Sequence, residues 1–522
     1  MRILKCEWFI KLVLIFFGIL LIIIWDYGIW FLGFGEKFNF VILNPPPGKE
    51  KKLSLNSQYI ALHYFDHLPI SFEGLFKENP WFDDTEFFRR KPKNVYRIFF
   101  IGASTTRGFP FIGREISYPS IFSAIIKDVL PYKNIEVINA GYDALSSFGV
   151  LDIFNRVLIY EPDLIIVYTG HNEFIGHYGV NSTVNFGSNR WLIRRRLDLQ
   201  RSSLFLISKL IAIQGRSLLV SKTESKVNLF KLMLRQNRII WSEQDHIVAE
   251  NHYRSNLLEM AEVSHKRGVK IIFTKLASNL KHFAPLASVH APIIGISSKI
   301  NLVEYISNGK AAFEIGKYDI AIKSFKKALF ISPRYAETHF YLGKVYEKKK
   351  DFFLARKHFV LAREYDKVHL RGCLKLNFIV SEVAKRYNIP VLDMEQVFDR
   401  ASIGRISGNN FFFEHVHPNI NGQLIMAEAY ARFLSNRKII SNSWEWKLAK
   451  PAKEYVRMVG FNMKQYINAR YTVGRLLLDF PFYQCAKGIF WLREIGKLED
   501  EISLVRTCRK MQKKSLFKQV SD

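Results

Sequence analysis

The sequence predicts an α/β protein built on a parallel sheet, doubly wound or flavodoxin-like, with an all-helical insertion and an apolar amino-terminal helix. Three observations predict it. Short Val/Ile/Phe-rich runs alternate with helical patterns between residues 95 and 440, a set of Gly, Ala and Phe residues recurs with a period of 34, and residues 12–35 are almost wholly apolar. Strands that alternate with helices form parallel sheets covered by those helices.

The first strand run is Arg97–Ile101, followed by turn residues, and Ile135–Ile138, Leu164–Tyr168, Val269–Thr274 and Pro390–Leu392 repeat its character. Each is short and rich in Val, Ile and Phe, as a strand buried on both faces requires. Tyr118–Leu130, Ser147–Tyr160, His252–Arg267 and Leu374–Tyr387 carry helical spacing between them. Residues 181–245 interrupt the alternation with a basic, mostly helical insert that includes Arg194, Arg195 and Arg196. That insert reads as a lid, a membrane-facing surface or a solvated excursion.

The second interruption is an internal repeat. Gly309, Ala321, Phe325 and Ala328 recur as Gly343, Ala355, Phe359 and Ala362. This period and these residue types resemble the tetratricopeptide repeat. Small residues let the two helices of a hairpin approach, Phe325 and Phe359 fill the gap between hairpins, and Pro333 ends the first unit. Two units are fewer than a free-standing solenoid needs, so they are expected to pack on their host domain. Such arrays hold a peptide or protein partner in a groove; a rigid spacer shaping the rim of an active site is the alternative.

At the amino terminus, Arg2, Lys5 and Lys11 precede the apolar run and only Asp26 interrupts it. Its length spans a bilayer and no small-residue cleavage site follows, so a retained signal anchor is expected. The expected arrangement is a single-pass membrane protein with its bulk extracytoplasmic (periplasmic in a bacterium), although Lys37, Lys49, Lys51 and Lys52 offset the amino-terminal charges. Asp26 is placed at the headgroup interface. The expected domains are the anchor at 1–36, a linker at 37–94, and the first part of the α/β domain at 95–300. The repeats follow at 301–369, the last part of the α/β domain at 370–440, and a basic helical extension at 441–522. The extension carries no catalytic motif and reads as a cap, a membrane contact or a partner surface.

The formal charge of +29 favours anionic surroundings, but the basic residues are spread along the chain. No zinc-finger spacing or arginine-rich recognition helix is present, which argues against a nucleic-acid partner. Cys6, Cys373, Cys485 and Cys508 are too few and too scattered for a disulfide framework, and no C-x-x-C pair suggests a structural metal.

The chemistry-bearing residues follow the strand runs. Ser104 sits in Ile101-Gly102-Ala103-Ser104-Thr105-Thr106-Arg107-Gly108, where small neighbours let the backbone turn and present the hydroxyl. The sequence has neither a G-x-x-x-x-G-K-[ST] loop nor a dinucleotide fingerprint, so phosphate binding is disfavoured. A serine needs a base and oxyanion donors to act as a nucleophile. Asn139-Ala140-Gly141 follows the second strand, Thr169-Gly170-His171-Asn172-Glu173 the third, and Glu414-His415-Val416-His417-Pro418-Asn419 lies past the repeats.

In that order the four blocks resemble those of the SGNH (GDSL-like) hydrolases, over roughly residues 95–180, 250–280 and 370–435. The resemblance implies a three-layer flavodoxin-like domain with Ser104 as nucleophile. It implies oxyanion donors from Gly141 N–H, the Asn172 amide and Ser104 N–H, and His417 as general base oriented by Glu414. The generic last block has Asp where this chain has Glu414, and His415 stands beside it as a second histidine. The implied reaction is acyl transfer through an acyl-enzyme, without metal or organic cofactor, making the chain a serine esterase or O-acyltransferase. Its expected substrate is an ester, such as the acetyl group of an acylated envelope glycan. The rival expectation is a non-catalytic scaffold in which the repeats recruit partners and the hydrolase domain is a relic.

Overall fold

The computed structural model describes residues 86–180, 182, 189–202, 204–209, 211–212, 242–290, 295–479 and 481–521. It also describes short pieces nearer the amino terminus, at 17–18, 20–21, 24–26, 28, 41–44 and 52–55. The chain divides into two compact units, one of residues 1–80, 84–89 and 189–225, the other of residues 81–83, 90–188 and 226–522.

In the first unit, β1 (Val41–Asn44), β2 (Lys52–Leu55) and β3 (Glu86–Phe88) pair antiparallel in that order. Helix Arg190–Leu199 is capped by Asn189, whose side chain accepts from Leu192 N at 3.2 Å. The expected membrane anchor is overturned here: among the described residues no helix is long and apolar enough to cross a membrane. Asp26, expected at a headgroup interface, accepts hydrogen bonds from Ser202 Oγ at 3.2 Å and Leu204 N at 2.8 Å. A carboxylate with two protein donors has its needs met within the protein. The remainder of the 12–35 run, and most of the 181–245 insert, lies outside the described residues. The extracytoplasmic placement that depended on the anchor is withdrawn with it.

The second unit is built on five parallel strands: β4 (Val95–Gly102), β5 (Asn134–Gly141), β6 (Leu164–Tyr168), β7 (Lys270–Lys275) and β8 (Val391–Asp393). Their spatial order is β5-β4-β6-β7-β8, so the first strand of the sheet lies between the second and third. This 2-1-3-4-5 order belongs to doubly wound flavodoxin-like sheets, which bind ligands beyond the strand carboxyl ends where the order reverses. Register sharpens the point. Gly102 pairs with Gly141 on one side and with Tyr168 on the other, so the carboxyl ends of β4, β5 and β6 finish abreast.

Helices cover the sheet in two groups. One contains α1 (Tyr118–Val129) and α9 (Ile420–Asn436); the other contains α2 (Ser147–Val157), α3 (Glu243–Arg267) and α8 (Leu374–Arg386). Phe100 of β4 packs edge-on against Tyr118, Phe122 and Tyr430 with centroids 5.1–5.5 Å apart, which fixes α1 and α9 on the sheet. Every residue of β6 is buried, which explains why that run is continuously apolar rather than alternating.

Between β7 and β8 stand two helical hairpins: α4 (Ile296–Glu314) with α5 (Tyr318–Ile331), and α6 (Ala336–Lys348) with α7 (Phe352–Tyr365). A Cβ at Gly309 would lie 2.5 Å from the Phe325 ring and one at Gly343 2.8 Å from that of Phe359, so both glycines exist to let the partner ring in. Phe325 and Phe359 are fully buried, and deleting either ring would leave a cavity worth about 3–5 kcal/mol. The second hairpin is tied to the α/β domain through Arg363, which donates to Glu395 Oε1 at 2.7 Å.

The carboxy-terminal extension forms α10 (Met463–Leu478), α11 (Cys485–Glu494) and α12 (Ile502–Ser521). Cys485 and Cys508, two of the four cysteines too scattered to suggest a disulfide framework, are joined in a disulfide because α11 and α12 fold back and bring their Cα atoms to 5.9 Å. The extension lies over the last motif block: Trp491 packs on Phe413 at 6.0 Å and Phe482 on His415 at 5.1 Å. Lys487 Nζ donates to His282 O and Asn409 Oδ1, both at 3.3 Å.

Candidate active site

Ser104 opens a single helical turn, Ser104–Arg107, directly beyond β4. The turn is held tightly against the sheet. A Cβ at Gly102 would collide with Thr106 Oγ1 and the Tyr168 carbonyl, and one at Gly141 would lie 2.5 Å from Arg107 N. Thr106, Thr105 and Arg107 are buried, whereas Ser104 keeps partial exposure. Thr106 N–H and Arg107 N–H both donate to Ala103 O, at 3.0 and 3.1 Å, while the N–H groups at the very start of a helical turn have no carbonyl one turn back within it.

A distant segment of the chain reaches the Ser104 hydroxyl. The hydroxyl lies 2.7 Å from His417 Nε2, across 313 residues of sequence. The other ring nitrogen, Nδ1, is hydrogen-bonded to Glu414 Oε1. A carboxylate only accepts, so Nδ1 carries the proton and Nε2 presents its lone pair to Ser104. His415, the neighbouring histidine, turns Nδ1 to Glu414 Oε2 and packs its ring on Phe283 and Phe482.

Glu414 in place of aspartate has a structural account. The longer side chain folds back over its own peptide, where Oε1 accepts His417 N at 3.2 Å and Oε2 accepts the N–H groups of His415 and Val416. Its carboxylate is fully buried yet surrounded by donors, the condition for keeping a charge inside a protein. Glu414, His415 and His417 also bring three potential ligand atoms within 4.8 Å of one another. Both His417 nitrogens are already hydrogen-bonded and both Glu414 oxygens already accept backbone N–H, so the donor set fits a hydrogen-bond relay better than a metal.

The two residues expected to serve an oxyanion, Gly141 and Asn172, lie at the end of β5 and in the loop after β6. Asn172 is half-buried and gives one amide hydrogen to Leu145 O at 3.1 Å, which orients the amide and leaves its second hydrogen. Gly141 N–H donates to Asn139 Oδ1 at 3.0 Å, so in the resting site it is not free for an oxyanion. What Gly141 supplies directly is clearance for the Ser104 turn. Glu173 accepts from Ser147 N at 2.8 Å and Ser147 Oγ at 2.7 Å, thereby capping α2 rather than a helix that follows it.

Two asparagines support the site that the sequence pattern did not mark for that role. Asn139 Nδ2 donates to Thr106 O at 2.9 Å and Ser117 Oγ at 3.0 Å, binding the Ser104 turn to β5 and to the start of α1. Asn279, beyond β7, donates to Glu414 O at 2.8 Å, while its backbone N–H reaches His415 O at 2.9 Å. Asn139 stood in a motif as a mere neighbour of Gly141, and Asn279 had no local signal at all.

Burial sets the electrostatics. It holds the His417 imidazole neutral, with its pKa well below the ordinary histidine value; Asp143 opposes this and Arg107 reinforces it. His171 is likewise pushed down, to about 3, by burial and by His417 and Arg363. Its Nδ1 accepts Gly372 N at 3.0 Å, so its Nε2–H points at Tyr168 Oη, 3.2 Å away. Burial raises Glu173 to about 7.

A pH dependence of stability follows. Eight histidines (171, 246, 282, 339, 358, 369, 415 and 417) have lowered pKa values in the fold. Four carboxyls (Glu173, Glu250, Asp366 and Asp399) are raised. Below about pH 6.5 the unfolded chain protonates imidazoles that the fold keeps neutral, so each histidine lowers stability as pH falls towards its folded value. The raised carboxyls act oppositely, gaining stability as pH falls towards their unfolded values near 4, but they are half as many. The midpoint of thermal unfolding is therefore expected to drop between pH 6.5 and pH 4.5. A constant or rising midpoint across that window would contradict the neutral burial of these imidazoles.

A cavity of about 840 Å³ opens elsewhere, between α7 and residues 393–405, and is lined by Phe352, Arg356, Asp399 and Arg405 but by none of the triad residues.

Comparison with known proteins gives the following. A family model described as a tetratricopeptide repeat matches residues 309–350. No curated protein matches the chain. Among solved structures, an acetylxylan esterase from Geobacillus stearothermophilus is similar at 13% identity and a TM-score of 0.30, over 65% of this chain and 94% of that one. A GDSL-like lipase from Bacteroides thetaiotaomicron is similar at 12% identity and a TM-score of 0.28, over 65% and 88%. A two-domain esterase active on acetylated mannans is similar at 13% identity and a TM-score of 0.30, over 66% and 50%.

Proposed function

We propose that the chain is a serine esterase of the SGNH type, working through an acyl-enzyme on Ser104. One observation carries the reading: the Ser104 hydroxyl lies 2.7 Å from His417 Nε2 while His417 Nδ1 is bonded to the buried Glu414 carboxylate. That chain of contacts is the serine–histidine–acid relay, recognised by geometry and not by sequence order.

In the reaction, His417 Nε2 takes the Ser104 proton as Oγ attacks the ester carbonyl. Negative charge forms on the carbonyl oxygen, facing Ser104 N–H and the second Asn172 amide hydrogen. Gly141 N–H joins them only by exchanging its bond to Asn139. The tetrahedral species collapses, the C–O bond to the leaving alcohol breaks, and His417 hands that alkoxide its proton. Water, or an acceptor hydroxyl if the enzyme transfers the acyl group, then gives a proton to His417 and attacks the acyl-enzyme; the acyl–Oγ bond breaks and His417 returns that proton to Ser104. Asn279, in the segment after β7, braces the loop that carries Glu414 by donating to Glu414 O at 2.8 Å.

The test is turnover of p-nitrophenyl acetate by the full chain beside Ser104→Ala, with a fluorophosphonate probe. Turnover lost in the variant and label found on Ser104 are expected. Equal rates for both proteins, with Ser104 unlabelled, would sink the enzyme reading in favour of a non-catalytic scaffold.

A further inference from the structure

The Ser104 turn ends in an arginine whose position the acyl-transfer steps leave unused. Arg107 is only 7% exposed, and its Nε donates to Asp143 Oδ1 at 2.8 Å. Its Nη groups have no protein partner among the described residues. Asp143 keeps 31% side-chain exposure, with Oδ2 likewise unengaged. Asp143 stands two residues past Gly141 and two before Leu145, whose carbonyl holds Asn172. The pair therefore ties the Ser104 turn to the loop after β5, and both members act electrostatically on His417. Phe109 completes the rim: its half-buried ring lies 4.5 Å from the His417 ring, with the Arg107 guanidinium 5.9 Å above it.

We propose that Arg107 and Asp143 form a recognition pair that takes a vicinal hydroxyl pair on the alcohol side of the ester, so that the site selects esters of neutral sugars. This rests on the serine-esterase reading of Ser104. Each hydroxyl both donates and accepts, and the pair offers unengaged donors on Arg107 beside an unengaged acceptor on Asp143. The two side chains are neutral in sum. A carboxylate on Arg107 Nη would meet Asp143 Oδ2, so an acidic sugar is repelled where a neutral diol is held. Phe109 offers an apolar face to the C–H side of a sugar ring. A long acyl chain would gain nothing from these groups and would leave them desolvated.

The experiment compares a mono-O-acetylated methyl glucoside, the matching acetylated methyl glucuronide and p-nitrophenyl acetate on the full chain. The wild type is expected to favour the neutral sugar over the uronate in kcat/KM by about tenfold or more, the scale of one good polar contact. Asp143→Ala, which bares the Arg107 cation, is expected to abolish or reverse that preference. Asp143→Asn keeps an acceptor for Arg107 Nε but turns the second oxygen into a donor, and serves if the alanine variant does not fold. Equal losses on both sugars would mean a structural pair and overturn the proposal, as would a wild type that treats both sugars alike. If the wild type turns over p-nitrophenyl acetate in either case, the esterase reading survives. If it turns over no ester and Ser104 stays unlabelled, that reading falls first.

Discussion

Replacing His417 by alanine is expected to lower kcat for ester turnover by about 10⁴-fold to 10⁶-fold, the range seen when a relay base is removed. No other described imidazole can substitute. His415 faces Phe283 and Phe482, and His171 has both ring nitrogens committed, one to Gly372 N and one to Tyr168. Without the base, Ser104 keeps an ordinary hydroxyl pKa and reacts slowly with either ester or fluorophosphonate. Substrate binding draws on other groups, so KM is expected to change little and the loss to fall on kcat. Steady-state kinetics and the rate of fluorophosphonate labelling measure both effects. A loss below about tenfold would show that a different group accepts the Ser104 proton.

Much of the site is legible in the sequence because parallel sheets align the carboxyl ends of their strands. Once strands are read at 97–101, 135–138 and 164–168, the residues just beyond them must share one edge. The register delivers this, with Gly102, Gly141 and Tyr168 abreast. The 34-residue period is legible for a similar reason, since each Phe needs a glycine opposite it. What stays hidden are bonds that reach across the chain to single polar side chains. Asn279 is 135 residues from Glu414, and no spacing rule connects a loop after β7 with a carbonyl in the last block. Asn139 is close to Gly141, but that its amide holds Thr106 O while its oxygen occupies Gly141 N–H depends on backbone geometry. The Cys485–Cys508 pair arises from the turn between α11 and α12. The amino-terminal run misled because hydropathy counts apolar residues without seeing what a lone Asp26 contacts.

The role of Glu414 gives the second large effect. Glu414→Gln keeps the shape and leaves an amide oxygen in place of Oε2 to accept from the N–H groups of His415 and Val416. The amide nitrogen then faces His417 Nδ1 and donates to it, so the imidazole carries its proton on Nε2, towards Ser104. A base that presents N–H to the nucleophile cannot take its proton, and kcat is expected to fall about 10⁴-fold. Glu414→Asp tests why this chain uses the longer acid. Here the carboxylate reaches His417 Nδ1 by folding back over three peptide N–H groups, and a side chain one methylene shorter cannot satisfy both ends of that arrangement. Its expected loss is intermediate, with the correct tautomer retained but the ring poorly held. Circular dichroism should show both variants folded, because the packing of Phe413 on Trp491 and of His415 on Phe482 leaves the segment anchored. Kinetics that rank wild type above the aspartate variant and the aspartate above the glutamine variant would identify charge and tautomer control. A glutamine variant as active as wild type would reduce Glu414 to a fold-holding residue and leave His417 without an orienting acid.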